Sequence, residues 1–494
     1  MILKFDKWMP DRIPADAGAA AVLNVIHTNA GYEVIHSPSP LGLAPFPGGT
    51  PRKLFLGRSS SNVTVPICMG SAFSARAVAN GWSTLAGSTM DSESWSTVPW
   101  GDAVYAVNGK NPPQKIKMLD SGDFEQINTP NGLTGKFAIA VADFLMLLDC
   151  REFEGSTRYP YRAQWSGYQR PERFEVDPAI QSDFQDVADI GQLMGGTGGE
   201  FALILGELGV ARADYVGPDV IFKFFTIETD TGCEISESII RTDNRTFWWS
   251  KRGFRVSSGD VSIDIGTGQV NEWFRRNISF DKINLARMSV KILADRPIIY
   301  WSFISRFSIS TEPDYLITYN WETKAWTYGL ITVSILGESS VASPTTDEEN
   351  LNLPEFDFAT STTDDYQQLT DAYGMFAPFF AAMLNGILCS MDQKGDITAE
   401  LETREMEFNP DGYAILNQIL PLVESATTIT MQIKGRNTLN NPIYRIKDGM
   451  KPERNGTFSC RMKTRYHRIK VYLNGPFVKG IGISVTNVLP AGNR

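Results

Sequence analysis

The residues that could do chemistry are few. Glu400, Glu402, Glu405 and Glu407 crowd around Arg404. On a strand they put carboxylates on both faces, and a glycoside-cleaving enzyme could use such a pair as acid and base or nucleophile. The same run also suits a solvated strand, which is the reading adopted. The three histidines, His27, His36 and His467, have no neighbour at metal-ligand or helical spacing. No His-Glu-x-x-His, nucleophile elbow or P-loop occurs. Gly195–Gly199 is rich in glycine but lacks the Lys and Ser/Thr of a phosphate cradle and precedes a strand, so it reads as a turn. The five cysteines, Cys68, Cys150, Cys233, Cys389 and Cys460, are far apart and odd in number, which predicts small buried hydrophobes. The expectation is no catalysis, no cofactor and no metal.

The elements that would hold such residues are strands. With 42% hydrophobic and 21% charged residues in 494, the chain is globular, and its 42 Gly and 27 Pro suit many turns and few long helices. Met1–Ala21 lacks a basic segment followed by an apolar one, and no run of about 18 uncharged apolar residues occurs, so neither a secretory signal nor a membrane span is expected. Synthesis in the cytosol follows.

The clearest stretch is Asp314–Gly329. Tyr315, Ile317 and Tyr319 alternate with Leu316, Thr318 and Asn320, and Trp326 and Tyr328 alternate with Ala325 and Thr327. A period of two on either side of Asn320–Lys324 predicts a β-hairpin with large aromatics on one face. Similar units occur at Asp102–Lys110, at Phe137–Asp149 around Ala142-Asp143, at Phe201–Tyr215 and at Phe247–Val256 around Lys251–Gly253. Lys291–Ser302 adds another, and Leu384–Met391 with Ile397–Thr403 flank a turn at Asp392–Gly395. They return every ~40–50 residues, the spacing of propeller blades, without a fixed motif. The expected fold is all-β: a β-propeller over 59–410 of about seven blades, or six, because 339–368 looks like an acidic insertion. A chain of β-sandwiches is the rival, but no domain-sized break interrupts 60–335.

The flanks differ. Residues 1–58 are rich in Pro, Gly and Ala and predict an extended N-terminal arm anchored by Trp8, packed on a neighbour or on its own body. Residues 411–494 contain Thr428–Lys434, Arg468–Leu473 and Gly480–Val485, which alternate as strands and predict a small C-terminal β-sandwich.

Net charge is −10, unevenly spread. Ser343–Asp365 holds seven acids and no base, whereas Lys434–Lys470 holds eleven bases against two acids. Such runs are solvated faces or complementary surfaces on adjoining subunits. The acidic whole argues against tight duplex-DNA binding, which depends on phosphate neutralisation.

Several short segments bear a family resemblance. Trp8-x-Pro10-Asp11 opens the chain. Phe201–Gly206, Tyr215–Gly217, Gly232-Cys233, Ser236–Ile240 and Trp249-Ser-x-x-Gly-Phe254 follow in order. Arg461-x-x-x-Arg465-Tyr-His-Arg468 and Ala491–Arg494 close it. Together they resemble the tail hub or nozzle proteins of short-tailed bacteriophages, the packaged-DNA stabilisation group. The resemblance implies a propeller of six to eight blades and a homohexameric ring below the portal and adaptor. That ring would retain packaged DNA and conduct it outward at infection, as a structural protein of the virion tail or neck made in the host cytoplasm. It implies contacts with other tail proteins such as a needle, tip or fibre, and transient, non-specific passage of genomic DNA. Trp8, Asp11, Arg461, Arg465 and Arg468 would be partner-interface residues. A conduit should not bind its cargo, so the acidic surplus would line the lumen and Lys434–Lys470 would face a neighbour. The alternative is a host-receptor-binding or glycan-degrading propeller, with 339–368 as its recognition loop. Thr89-Met-Asp-Ser-Glu-Ser-Trp95 has a partial likeness to the sialidase Asp-box, but lacks its Gly and is one residue short between Asp and Trp.

Overall fold

The computed structural model describes residues 1–13, 18–58, 64–78, 81–87, 94–117, 123–153, 157–242, 244–282, 289–292, 296–339, 379–391, 396–425, 428–440 and 444–492. Strands dominate, and turn chemistry sets their spacing. At Ala142-Asp143 both residues have positive φ, 44° and 65°, which joins Leu133–Val141 to Phe144–Glu152 with the twist that hairpins favour.

Seven antiparallel four-stranded meanders succeed one another among the described residues. They span 51–85, 96–126, 133–186, 193–229, 240–264, 289–329 and 335–390, and are called units one to seven below. Unit seven has only three strands of its own; its fourth is Ser39–Pro40, which pairs with Ile387–Ser390. First strands touch from unit to unit: Ser96–Trp100 meets Leu133–Val141, which meets Leu193–Thr197. Ile240–Thr242 meets Ser289–Ile292, which meets Ile335–Ser339, and the last meets Pro51–Arg58 of unit one. The last contact joins unit seven back to unit one, in a propeller-like arrangement.

The stretch 314–329 forms the outer half of unit six. Tyr315–Asn320 pairs with Ala325–Gly329, with Thr318 opposite Thr327 and their hydroxyls 2.5 Å apart. Trp326 is fully buried against Tyr319 at 4.4 Å and against Phe254 of unit five at 4.7 Å. The aromatic face therefore fills the gap between two units.

The expected boundaries at 58 and 410 do not divide the sheets. Ala21–Leu23 lies between Ala325–Gly329, to which it runs parallel, and Thr398–Glu402, to which it runs antiparallel. Thr398–Glu402 pairs onward to Tyr466–Asn474, then Thr428–Arg436 and Arg445–Met450, so one ten-stranded sheet runs from unit six into the C-terminal region. A second sheet contains Val25–Thr28, Gly31–Val34, Phe477–Ala491, Tyr413–Ser425 and Phe458–Thr464, with Ile2–Lys4 on its edge. The two sheets enclose Leu416, Ile419, Cys460, Ile469, Val471 and Val485 in one core, the packing of a small sandwich. The N-terminal segment is therefore no arm. Its Val22, Val25, Tyr32 and Val34 are fully buried, because alternate apolar residues need a core as well as an edge to pair with. Ile397–Thr403 likewise does not fold back on Leu384–Met391: Ser39–Pro40 takes that edge, and the turn expected at 392–395 lies outside the described residues.

Candidate functional site

The four carboxylates near residue 400 do not share one strand. Thr398–Glu402 ends at Glu402, and Met406–Glu407 is a separate strand on Tyr466–His467. Ala399 and Leu401 point into the sandwich, so Glu400 and Glu402 share the outer face by alternation. There they meet the basic stretch. Lys470 lies 2.7 Å from Glu400 and 3.7 Å from Glu402, and Lys434 lies 3.0 Å from Glu402. The Arg436 guanidinium grips Glu405 with two nitrogens, and Arg465 Nε donates to Glu407 at 2.5 Å. The side chains of Glu402 and Glu405 are only 6% and 4% exposed, which closes them to a sugar. At least four of the eleven bases in Lys434–Lys470 are thus paired with carboxylates of the same chain. The alternation of acids at 400–407 with bases at 434–470 was the sequence signal for this charge ladder.

Trp8 and Asp11 also work internally, in place of the partner contacts expected of them. Trp8 is 2% exposed, edge-on to Trp273 at 4.8 Å and 4.7 Å from Tyr328 of unit six. It bridges to Gly18, where positive φ of 65° and a virtual Cβ 1.9 Å from the Lys7 carbonyl oxygen both require glycine. The Asp11 carboxylate accepts from the backbone N–H groups of Glu272 and Trp273, each at 2.8 Å, and so caps the helix Asn271–Asn277. Val270 at the helix start offers no side-chain cap of its own. Burial raises the Asp11 pKa even though those two N–H groups and Arg276 favour its anion. The pair pins the N-terminal segment to the helix between units five and six and, through Tyr328, to unit six.

The three C-terminal arginines have separate surroundings. Arg461 is exposed on the outer face of Phe458–Thr464, Arg465 pairs with Glu407, and Arg468 stacks over Tyr444 at 5.5 Å. Between the last two, His467 is wholly buried, edge-on to Phe408 at 5.5 Å. Burial pushes its pKa down to about 4. All five cysteines are buried thiols; burial pushes Cys389 up to about 11 and Cys233 up to about 12.

The first strands of six units surround a central cavity of about 450 Å³. Its charged lining is balanced: Arg52, Lys53 and Lys136 against Glu237, Glu312 and Glu338. Ser94 Oγ donates to Glu237 across units at 2.5 Å. Arg52 sits at a register shift in Pro51–Arg58, and its Nε is buried without a hydrogen bond among the described residues. A space of this size suits a small molecule and not a duplex.

Of the remaining sequence expectations, residues 89–93 of the Asp-box-like stretch and 340–368 of the acidic insertion lie outside the described residues. Among the described residues no helix is long and apolar enough to cross a membrane, and no group of three or more His, Cys, Asp or Glu residues could hold a metal.

A scan against protein families gives no match, and neither does a search of curated proteins. Solved structures give distant likenesses. A computationally designed protein, Ika8, is 8% identical, with 71% of this chain and 99% of that chain covered at a TM-score of 0.32. A glycoside hydrolase is 9% identical, with 90% and 100% covered at 0.28. YCF48 bound to a D1 peptide is 10% identical, with 63% and 87% covered at 0.35. At such scores these likenesses carry no argument, and the fold rests on the sheets themselves.

Proposed function

We propose that the chain is a non-catalytic structural protein of a bacteriophage virion: a seven-bladed propeller joined to a small sandwich. Six copies form a hub or nozzle ring below the portal and adaptor, in the neck or tail. The ring retains packaged DNA and serves as the conduit for its ejection, and other tail proteins such as a needle, tip or fibre attach to it. The protein is made in the host cytoplasm and takes its place during assembly.

The observation that supports this reading best is the ten-stranded sheet joining unit six to the sandwich. A continuous hydrogen-bonded sheet transmits load between two lobes, which a gasket under packaging pressure requires and a flexible linker would not supply. The charge ladder on that sheet spends the carboxylates that might otherwise do chemistry. The central cavity is too small for a duplex, so on this reading the genome passes between copies, through a lumen lined by the acidic surplus.

Negative-stain imaging of the purified protein mixed with a portal–adaptor complex tests this. A six-fold ring on the complex is the expected result; a protein that ignores the complex would remove the reading. A glycan-binding and hydrolysis screen distinguishes the receptor-binding or glycan-degrading alternative.

A further inference from the structure

The central cavity has an order that its balanced charge conceals. Going round the axis, Arg52 belongs to unit one and Lys136 to unit three, Glu237 precedes unit five and Glu312 lies within unit six. Lys53 and Glu338 stand on the adjoining first strands of units one and seven, where their charges offset each other. The other four are sorted by sign, bases on one arc and acids on another. All four are half-buried, and none makes an ion pair among the described residues.

Half-buried charges of opposite sign in one cavity would ordinarily close on each other, because each costs free energy to strip of water. Here they are held apart. Lys136 Nζ lies 5.3 Å from the centre of the Phe137 ring, and Glu237 is tied to the Ser94 hydroxyl at 2.5 Å. Arg52 leaves its strand at a register shift. Unused donors lie on the basic arc as well. Trp95, just before unit two, is 3% exposed, and its indole N–H, like the Nε of Arg52, has no hydrogen-bond partner among the described residues.

A simple anion in this cavity would meet Glu237 and Glu312, and a simple cation would meet Arg52 and Lys136. A molecule carrying both charges meets each on its favourable side. Phe137, Ile239 and Leu336 add apolar wall. The volume of about 450 Å³ lies within the roughly 300–1,000 Å³ of small-molecule sites.

We propose that the central cavity binds a small zwitterion, an apolar α-amino acid or a dipeptide of such residues. Its carboxylate faces Arg52, Trp95 and Lys136, and its ammonium faces Glu237 and Glu312. The ligand ties units one to three to units five and six, so its binding stabilises the closed arrangement of the units. The site goes beyond the hub reading and does not depend on it.

The test follows the melting of the full-length protein with L-leucine, L-phenylalanine or the dipeptide Leu-Leu at about 10 mM, and then titrates each by calorimetry. At least one should raise the melting temperature by about 1 °C or more, and which one does so separates a free amino acid from a dipeptide. The half-molecules, for leucine 4-methylpentanoate and 3-methylbutylamine, should bind at least about 10-fold more weakly than the whole. Lys136→Met should weaken the zwitterion and the carboxylate about 10-fold and leave the amine unchanged; Glu312→Gln should do the converse. Neither variant should melt below wild type without ligand, since each removes an unpaired charge. No response to any of the three compounds would mean that the cavity holds water alone, and overturns the proposal. So does a half-molecule that binds as tightly as the whole, a pair of variants that bind like wild type, or a lowered melting temperature in both. Imaging with the portal–adaptor complex decides the ring and leaves this site untouched, and the titration leaves the ring untouched.

Discussion

The outer edges of units five and six contrast. Unit six ends on Ala325–Gly329, which is covered by Ala21–Leu23 and extended into a ten-stranded sheet. Unit five ends on Ile263–Asp264, two residues long, with Ile263 67% exposed. Both are edges that could recruit another strand, and they are handled differently. One is used up inside the chain to fasten a second lobe; the other is kept too short to template pairing and presents its side chains instead. The same unpaired backbone is thus a joint in one place and a short bare rim in the next.

Substitutions can break the closed edge at graded depths. Val22→Asp would bury a charge at the centre of the joint and should cost at least about 4 kcal/mol, read as loss of soluble protein or of cooperative urea unfolding. Trp326→Ala empties the space between units five and six and should cost about 3–5 kcal/mol in the same assay. Glu402→Gln, one strand beyond the joint, strands Lys434 and should cost about 2–3 kcal/mol, less than a fully isolated pair because Lys470 keeps Glu400. A cost near zero would show the ladder to be surface decoration.

Acid reaches the far side of the joint through His467. Its folded pKa is about 4 against an ordinary 6.5, so the unfolded chain takes up a proton first as pH falls. Stability is complete above about pH 6.5 and declines toward pH 4, by at most about 3 kcal/mol from this group. His27, also depressed to about 4, adds in the same direction. His467→Leu should flatten the decline only in part, and an unchanged slope would show that His467 is not its source. The open edge should give the smallest effect: Ile263→Lys should change folding stability by less than about 0.5 kcal/mol in the same urea assay.

Much of the meander pattern was legible in the sequence. Alternation at Tyr315–Tyr328 and the turn residues Ala142-Asp143 act locally, and local signals survive in any context. What stayed hidden was non-local. Residues 1–58 look like an arm because short strands such as Ala21–Leu23 carry little period of their own; their partners are supplied from beyond residue 320. Trp8 and Asp11 read as partner contacts in the sequence because residue type alone does not separate an anchor on a neighbour from an anchor on one's own helix. The charge ladder stayed hidden: the carboxylates at 400–407 read as a solvated strand, and only strand register set them against Lys434, Arg436, Arg465 and Lys470.

Ser39–Pro40 completes a unit whose other strands end at Ser390, and Ala21–Leu23 waits for Thr398–Glu402. A ribosome adding roughly 5–20 residues per second needs about 20–80 seconds to cover that distance. Val25–Thr28 and Gly31–Val34 can pair with each other at once, but Ala21–Leu23 has neither of its strand neighbours until residue 329 emerges, and Ser39–Pro40 has none until residue 390. The seam therefore sets the order of folding: middle units first, ends last, with the loose N-terminal strands a natural client for a holding chaperone.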